Sequence, residues 1–98
     1  VREKKSLSML NAIKKMSLMP ALRMEKLIPS MNNKGRIRIG ADADLAIFDS
    51  ETVADRATYA NPVLSPVGMV HVLVNGLAVL ENEKVIQGLN PGLPITSL

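Results

Sequence analysis

Few residues of this 98-residue chain could do chemistry: one histidine, nine carboxylates and no cysteine. His71 lies inside the run Val70-His71-Val72-Leu73-Val74. A lone histidine flanked by valines reads as a packed strand residue before it reads as a catalyst. A catalytic zinc site needs about three protein ligands, usually including several histidines, so this chain cannot assemble one by itself. Asp42 and Asp44 flank Ala43, and Asp49 ends the apolar run Leu45-Ala46-Ile47-Phe48. Carboxylates two apart on an extended strand point the same way. That arrangement serves general acid–base work or a hard metal ion. Turn chemistry is the stronger reading, because an aspartate after Gly-Ala bonds nearby backbone N–H groups, and Asp49 reads as a strand terminator. Ser6, Ser8, Ser17, Ser30, Ser50, Ser65 and Ser97 have no histidine nearby in sequence, and none sits in a G-x-S-x-G elbow. Gly35 to Gly40, GRIRIG, has neither the dinucleotide nor the Walker spacing of a phosphate cradle. The six methionines read as packing residues. No catalytic, cofactor-binding or metal-ligating residue is therefore assigned within the chain.

The elements that would position these groups centre on Gly35 to Asp49, GRIRIGADADLAIFD. Arg36 to Ile39 alternates polar and apolar, which predicts a half-buried strand. Gly40 supplies a tight turn, and Leu45 to Phe48 a second strand. Upstream, Val1 to Lys5 reads as the end of a helix. Ser8 is a candidate N-cap, although Asn11 stands where a capping box would place Glu or Gln. Met9, Ala12, Ile13 and Met16 share one helix face, with Lys14 and Lys15 opposite. Pro20 disfavours helical geometry in the residue before it, so the helix should stop near Leu18. Pro20 then opens a short helix over Ala21 to Lys26, and Pro29 to Lys34 forms a loop pinned by Met31. Downstream, Thr52 to Ala57 suits one helical turn, and Asn61-Pro62 and Ser65-Pro66 mark an extended loop. Val70 to Val74, Asn75-Gly76 and Leu77 to Leu80 form the clearest hairpin, since a type I′ turn needs positive φ at both central positions. Both faces of its first strand are apolar. Glu81 to Glu83 turns again, Lys84 to Ile86 is a short strand, and the tail from Gly88 is irregular.

Composition makes the chain globular, with 47% hydrophobic residues. Only Tyr59 and Phe48 are aromatic, so the core is expected to be completed from outside the chain. The first residue is Val1, in mid-pattern, as in a segment of a longer protein. Without cysteine there is no disulfide framework. No apolar run reaches the roughly 18–20 residues that span a bilayer, and a cytoplasmic location is expected. Residues 1–38 carry ten basic and two acidic residues, and residues 39–98 carry two and seven. The halves are therefore +8 and −5. No aromatic interleaves with the basic residues to stack on bases, so they read as solvated helix faces rather than a nucleic-acid arm.

Several stretches resemble a known family. Lys15 to Arg23, KMSLMPALR, resembles the T/S-x-x-P-A pattern in the last barrel-helix region of metal-dependent amidohydrolases. Gly35 to Asp49 is similar to that superfamily's G-x-I-x-x-G-x-x-A-D-L-x-x-x-D signature, and Val72 to Gly76 to its V-x-V-N-G hairpin. Thr52 to Tyr59, TVADRATY, followed by Asn61-Pro62 and Gly68-Met69, resembles the N-acyl-D-amino-acid deacylase (D-aminoacylase) branch. The resemblance runs from about Ser6 to Gly92. It departs from the family at Asn11, where an acidic cap residue is usual, and between Met24 and Asn33, where the link is longer.

The resemblance implies an α+β segment: residues 1–34 as terminal helices of a (β/α)8 barrel, and residues 35–98 as the C-terminal part of a small composite β-sandwich. The N-terminal strands and the barrel of the same protein would be its missing partners. The intact enzyme would use zinc and a metal-activated water to hydrolyse N-acyl-D-amino acids, N-acyl-D-glutamate among them. Its metal ligands and catalytic aspartate would lie outside this chain, which alone would be inactive. With strand edges unpaired, the isolated segment is expected to self-associate. The competing readings are another amidohydrolase, a cyclic amidase or a deaminase, and a non-enzymatic β module with a basic nucleic-acid-binding arm.

Overall fold

A computed structural model describes residues 1–2 and 4–96. The readings that fall on Glu3 and Ser97 lie outside the described residues. Packing divides the chain into two units. Among the described residues, one comprises Val1–Asp42 with residues 93–96, and the other is Ala43–Gly92. The chain is α+β, with one short helical run and a four-stranded antiparallel sheet.

In the first unit, no helix falls on the described residues before Met9, contrary to the helix end expected over Val1 to Lys5. Lys5 instead takes a left-handed backbone, φ +51°. Ser8 does cap α1 (Met9–Ile13): its backbone is extended, and its hydroxyl accepts from the Asn11 N–H at 3.2 Å. The helix does not stop near Leu18. It passes through a π-helical turn, Lys14–Leu18, into α2, Met19–Met24. The proline explains the π turn. Pro20 has no N–H, and its ring would collide with the carbonyl four residues back in a regular α-helix. The chain widens by one residue just before it, so that the Met19 N–H bonds Lys14 O, an i→i−5 contact. Pro20 then falls in the first turn of α2, where no donor is needed. The Ser17 hydroxyl donates to the Ile13 carbonyl at 2.8 Å, which helps hold the widened turn.

The π turn also changes which residues face inward. Of the expected face, Met9 and Ala12 are half-buried, but Ile13 and Met16 are exposed, and Ser17, Leu18 and then Ala21 continue the covered side. The spacing of five between Ala12 and Ser17 is that of the π turn, not of the expected i, i+3, i+4, i+7 face. Ala21, 2% exposed, is the buried hydrophobic residue of the described chain. It sits against Gly35, whose φ is +70°. A Cβ there would stand 2.9 Å from Ala21 Cβ and 2.6 Å from Ser17 O.

Pro29–Asn33 is a 3₁₀ turn inside the expected loop, with Met31 half-buried. The strand expected over Arg36 to Ile39 is absent. Its side chains are drawn elsewhere. Arg36 donates from Nε to Lys34 O and from its guanidinium to Glu25 Oε2, both at 2.9 Å. Arg38 donates to Asn32 O and Oδ1 at 2.9 and 3.0 Å. Ile37 and Ile39 are left 90% and 104% exposed. Alternation specifies a strand only where a partner accepts its backbone, and no described strand pairs with this one. The turn at Gly40 is present, at φ +86°.

The second unit holds β1 (Leu45–Phe48), β2 (Met69–Val74), β3 (Leu77–Glu81) and β4 (Lys84–Val85), hydrogen-bonded in that order. β1 pairs antiparallel with β2, Leu45 opposite Leu73 and Ile47 opposite His71, with a bulge before Phe48. The β2–β3 hairpin turns at Asn75-Gly76, with φ +52° and +80°, as the sequence predicts. A second two-residue turn, Asn82-Glu83, has φ +50° and +68° and joins β3 to β4, with Glu81 opposite Lys84. Every residue of β2 is half-buried and none is fully buried. This matches a strand apolar on both faces whose unit contains no helix to cover either one.

The helical turn expected over Thr52 to Ala57 is not formed. Ala54 instead makes an isolated antiparallel bridge to Val67, each N–H donating to the other's carbonyl at 3.0 Å. Thr52 and Val53 fold back onto the Asp49 carbonyl at 3.2 and 2.8 Å. Gly68, φ +81°, lies so close to this turn that a Cβ would stand 2.4 Å from the Val53 backbone. No helix among the described residues is long and apolar enough to cross a membrane.

Candidate functional site

The four groups singled out in the sequence go to separate structural tasks. Asp42 pairs with Lys34 Nζ at 3.0 Å. Asp49 Oδ1 accepts the Glu51 N–H at 2.9 Å, and the Asp49 N–H donates to Gly68 O at 2.8 Å. It therefore ends β1 and starts the following turn, as the sequence reading has it. His71 Nδ1 accepts the Asn82 N–H at 3.3 Å, which ties β2 to the second hairpin turn. Among the serines, Ser8 caps α1 and Ser17 braces the π turn.

Asp44 does something the sequence did not reveal. Its Oδ1 accepts the backbone N–H of Asn75 at 2.8 Å, across 31 positions. Beside it, the Gly76 N–H donates to Ala43 O at 3.0 Å. The Asn-Gly turn exposes N–H groups that neither hairpin strand can satisfy, and Ala43-Asp44 supplies a carbonyl and a carboxylate for two of them. The turn reading of Asp44 was right in kind, since it bonds backbone N–H groups, but the turn it serves is distant in sequence. The A-D-L and V-N-G stretches are thus one local structure. Their co-occurrence in one signature was the available clue.

Among the described residues, no group of three or more histidine, cysteine, aspartate or glutamate side chains comes together. The three aspartates singled out in the sequence, Asp42, Asp44 and Asp49, already hold Lys34, Asn75 and Glu51. The described residues do not fit a zinc site, and no chemical step through a metal is assigned to them.

The known proteins that this chain resembles are consistent with one another. No family model matches the chain. The chain is 43% identical over 79 residues to N-acyl-D-glutamate deacylase of Alcaligenes xylosoxydans xylosoxydans, and 36% identical over 84 residues to N-acyl-D-aspartate deacylase of the same organism. These matches cover 81% and 86% of this chain, but 15% and 16% of the relatives. A crystal structure of D-aminoacylase, which defines a subset of the amidohydrolases, superposes with a TM-score of 0.71 at 34% identity, over 85% of this chain and 16% of that one. A second D-aminoacylase structure, described for its binuclear metal centre, gives 0.72 at 32% identity over the same shares.

Fold and sequence together liken this chain to a part of an amidohydrolase. The relatives it matches are N-acyl-D-amino-acid deacylases and D-aminoacylase, and it spans about 15% of their length.

Proposed function

We propose that the chain is the C-terminal segment of a metal-dependent hydrolase that cleaves the amide bond of N-acyl-D-amino acids, and that N-acyl-D-glutamate is its substrate. One observation carries this reading: 43% identity over 79 residues to N-acyl-D-glutamate deacylase, accompanied by a TM-score above 0.7 to D-aminoacylase. Glutamate is preferred over aspartate because the corresponding identity to the aspartate enzyme is 36%.

In this proposal residues 1–34 are terminal helices of the barrel, and residues 35–98 are the C-terminal part of the composite β-sandwich. The apolar surface supports it. Ile37, Ile39, Leu10 and Met16 stand in water, and among the described residues Ala21 is the buried hydrophobic one. A self-sufficient domain hides such side chains. Strands and helices of the same polypeptide would cover them, Arg36 to Ile39 becoming a strand once a partner is supplied. Zinc is then held by residues of the longer polypeptide, and this segment has no catalytic, cofactor-binding or metal-ligating residue of its own. Alone it self-associates through its open β1 edge, because β1 carries no charge or proline to discourage pairing. The parent is cytoplasmic and needs neither nucleic acid nor membrane as a partner.

The test is substrate profiling of the longer polypeptide. Hydrolysis of N-acetyl-D-glutamate with no action on hydantoins is expected. Hydantoin opening without deacylation assigns the chain to a cyclic amidase instead. An H-x-H pair following an early strand is also expected upstream of Val1.

A further inference from the structure

From the loop between β1 and β2 we infer a docking arm, with Tyr59 at its tip, that seats in the body of the longer polypeptide. The inference rests on the segment reading above and adds which residues make the contact. Residues 55–63 are all exposed, yet the loop is built by specific bonds. The reciprocal pair between Ala54 and Val67 closes its base. Asp55 Oδ1 accepts the Ala57 N–H at 2.9 Å. Thr58 and Asn61 bond twice, Asn61 N–H to Thr58 Oγ1 at 2.9 Å and Thr58 N–H to Asn61 O at 3.2 Å. Pro62 and Pro66 restrict the return limb.

This clip between Thr58 and Asn61 lifts out Tyr59 and Ala60. Tyr59, the chain's single tyrosine, is 108% exposed. Tyr59 lines a shallow, mainly apolar concavity with Ala57, Thr58 and Pro62, and Val63 is exposed as well. Loops left wholly in water are usually polar and loosely held. This one is hydrogen-bonded into shape and ends in an aromatic ring with a hydroxyl, the side chain that best anchors an interface with one apolar end and one polar end. Because the tip is ordered beforehand, docking costs little further chain entropy. Arg56, with no ion-pair partner among the described residues, adds a positive charge at the rim.

The occupant follows from length. The chain matches about one sixth of its relatives, so the nearest surface is the rest of the same polypeptide, held at high effective concentration by the covalent link. Its receiving site is an apolar slot with an acceptor for the phenol at its floor and a carboxylate facing Arg56.

Hydrogen–deuterium exchange on the 98-residue chain and on the longer polypeptide tests this. The Tyr59 and Ala60 amides donate to no described group. They should exchange freely in the short chain and about tenfold or more slowly in the long one. Tyr59→Ala in the long chain should remove the protection, and Tyr59→Phe should keep most of it. Should the alanine variant fail to fold, the wild-type comparison and the phenylalanine variant still decide. Equal, fast exchange in both chains overturns the arm. So does protection in the short chain that rises with its concentration, which would place a second copy on the tip. Deacylase activity is a separate readout: protection without activity keeps the arm and removes the assigned reaction, and activity without protection does the reverse.

Discussion

Asp44 holds the backbone of Asn75: its carboxylate accepts the N–H at the first position of the hairpin turn, 2.8 Å away and 31 residues along the chain. With the neighbouring bond from the Gly76 N–H to Ala43 O, it fastens the start of β1 to the tip of β2–β3. A carboxylate accepting from a backbone N–H is a charge-assisted bond. Asp44→Ala should lower the stability of the Ala43–Gly92 unit by about 1–2 kcal/mol. Asp44→Asn, which keeps an acceptor oxygen, should cost less. Urea unfolding of the two variants checks the order, and an upfield shift of the Asn75 amide proton in the alanine variant locates the loss.

Glycine requirements differ sharply between Gly68 and Gly40. Both have positive φ, but a Cβ at Gly68 meets the Val53 backbone at 2.4 Å, while a Cβ at Gly40 meets nothing within 4 Å. Gly40→Ala therefore adds only left-handed backbone strain, about 1 kcal/mol. Gly68→Ala adds a backbone collision and should cost about 3 kcal/mol or more, breaking the Ala54–Val67 bridge. Chemical denaturation of the two variants side by side measures the difference.

Pro20 is held responsible for the π turn. Pro20→Ala restores an N–H and removes the ring, so Lys14–Leu18 should relax to regular α-helix. The Met19 N–H should then move from Lys14 O to Lys15 O. Carbonyl-to-amide couplings in NMR distinguish the two acceptors. A variant that keeps the i→i−5 bond shows that Ser17 and Gly35, not the proline, set the turn.

The pattern of successes and failures in reading the sequence is physical. Asn75-Gly76 and the alternating valines identify the hairpin because its turn and its pairing are local. Ser8 is legible as a cap for the same reason. Thr52 to Ala57 was misread because Ala54 answers to Val67, thirteen positions away. Arg36 to Ile39 has the pattern of a strand and no described neighbour to make it one. At Pro20 the rule against the preceding helical residue is sound for an α-helix, and the chain evades it by widening one turn. The family was legible from spaced motifs. The link between two of them, Asp44 to Asn75, was not, since nothing local requires a carboxylate to reach that turn.

If, as proposed, this chain is a non-catalytic part of a longer N-acyl-D-amino-acid deacylase, catalysis belongs to the rest of that polypeptide. Release of D-glutamate from N-acetyl-D-glutamate, measured in parallel for the 98-residue chain and the longer polypeptide with zinc present, tests it most directly. The account predicts turnover by the longer polypeptide and none by the short chain. Zinc-dependent release by the 98 residues alone, or a longer polypeptide inert toward every N-acyl-D-amino acid, would contradict it.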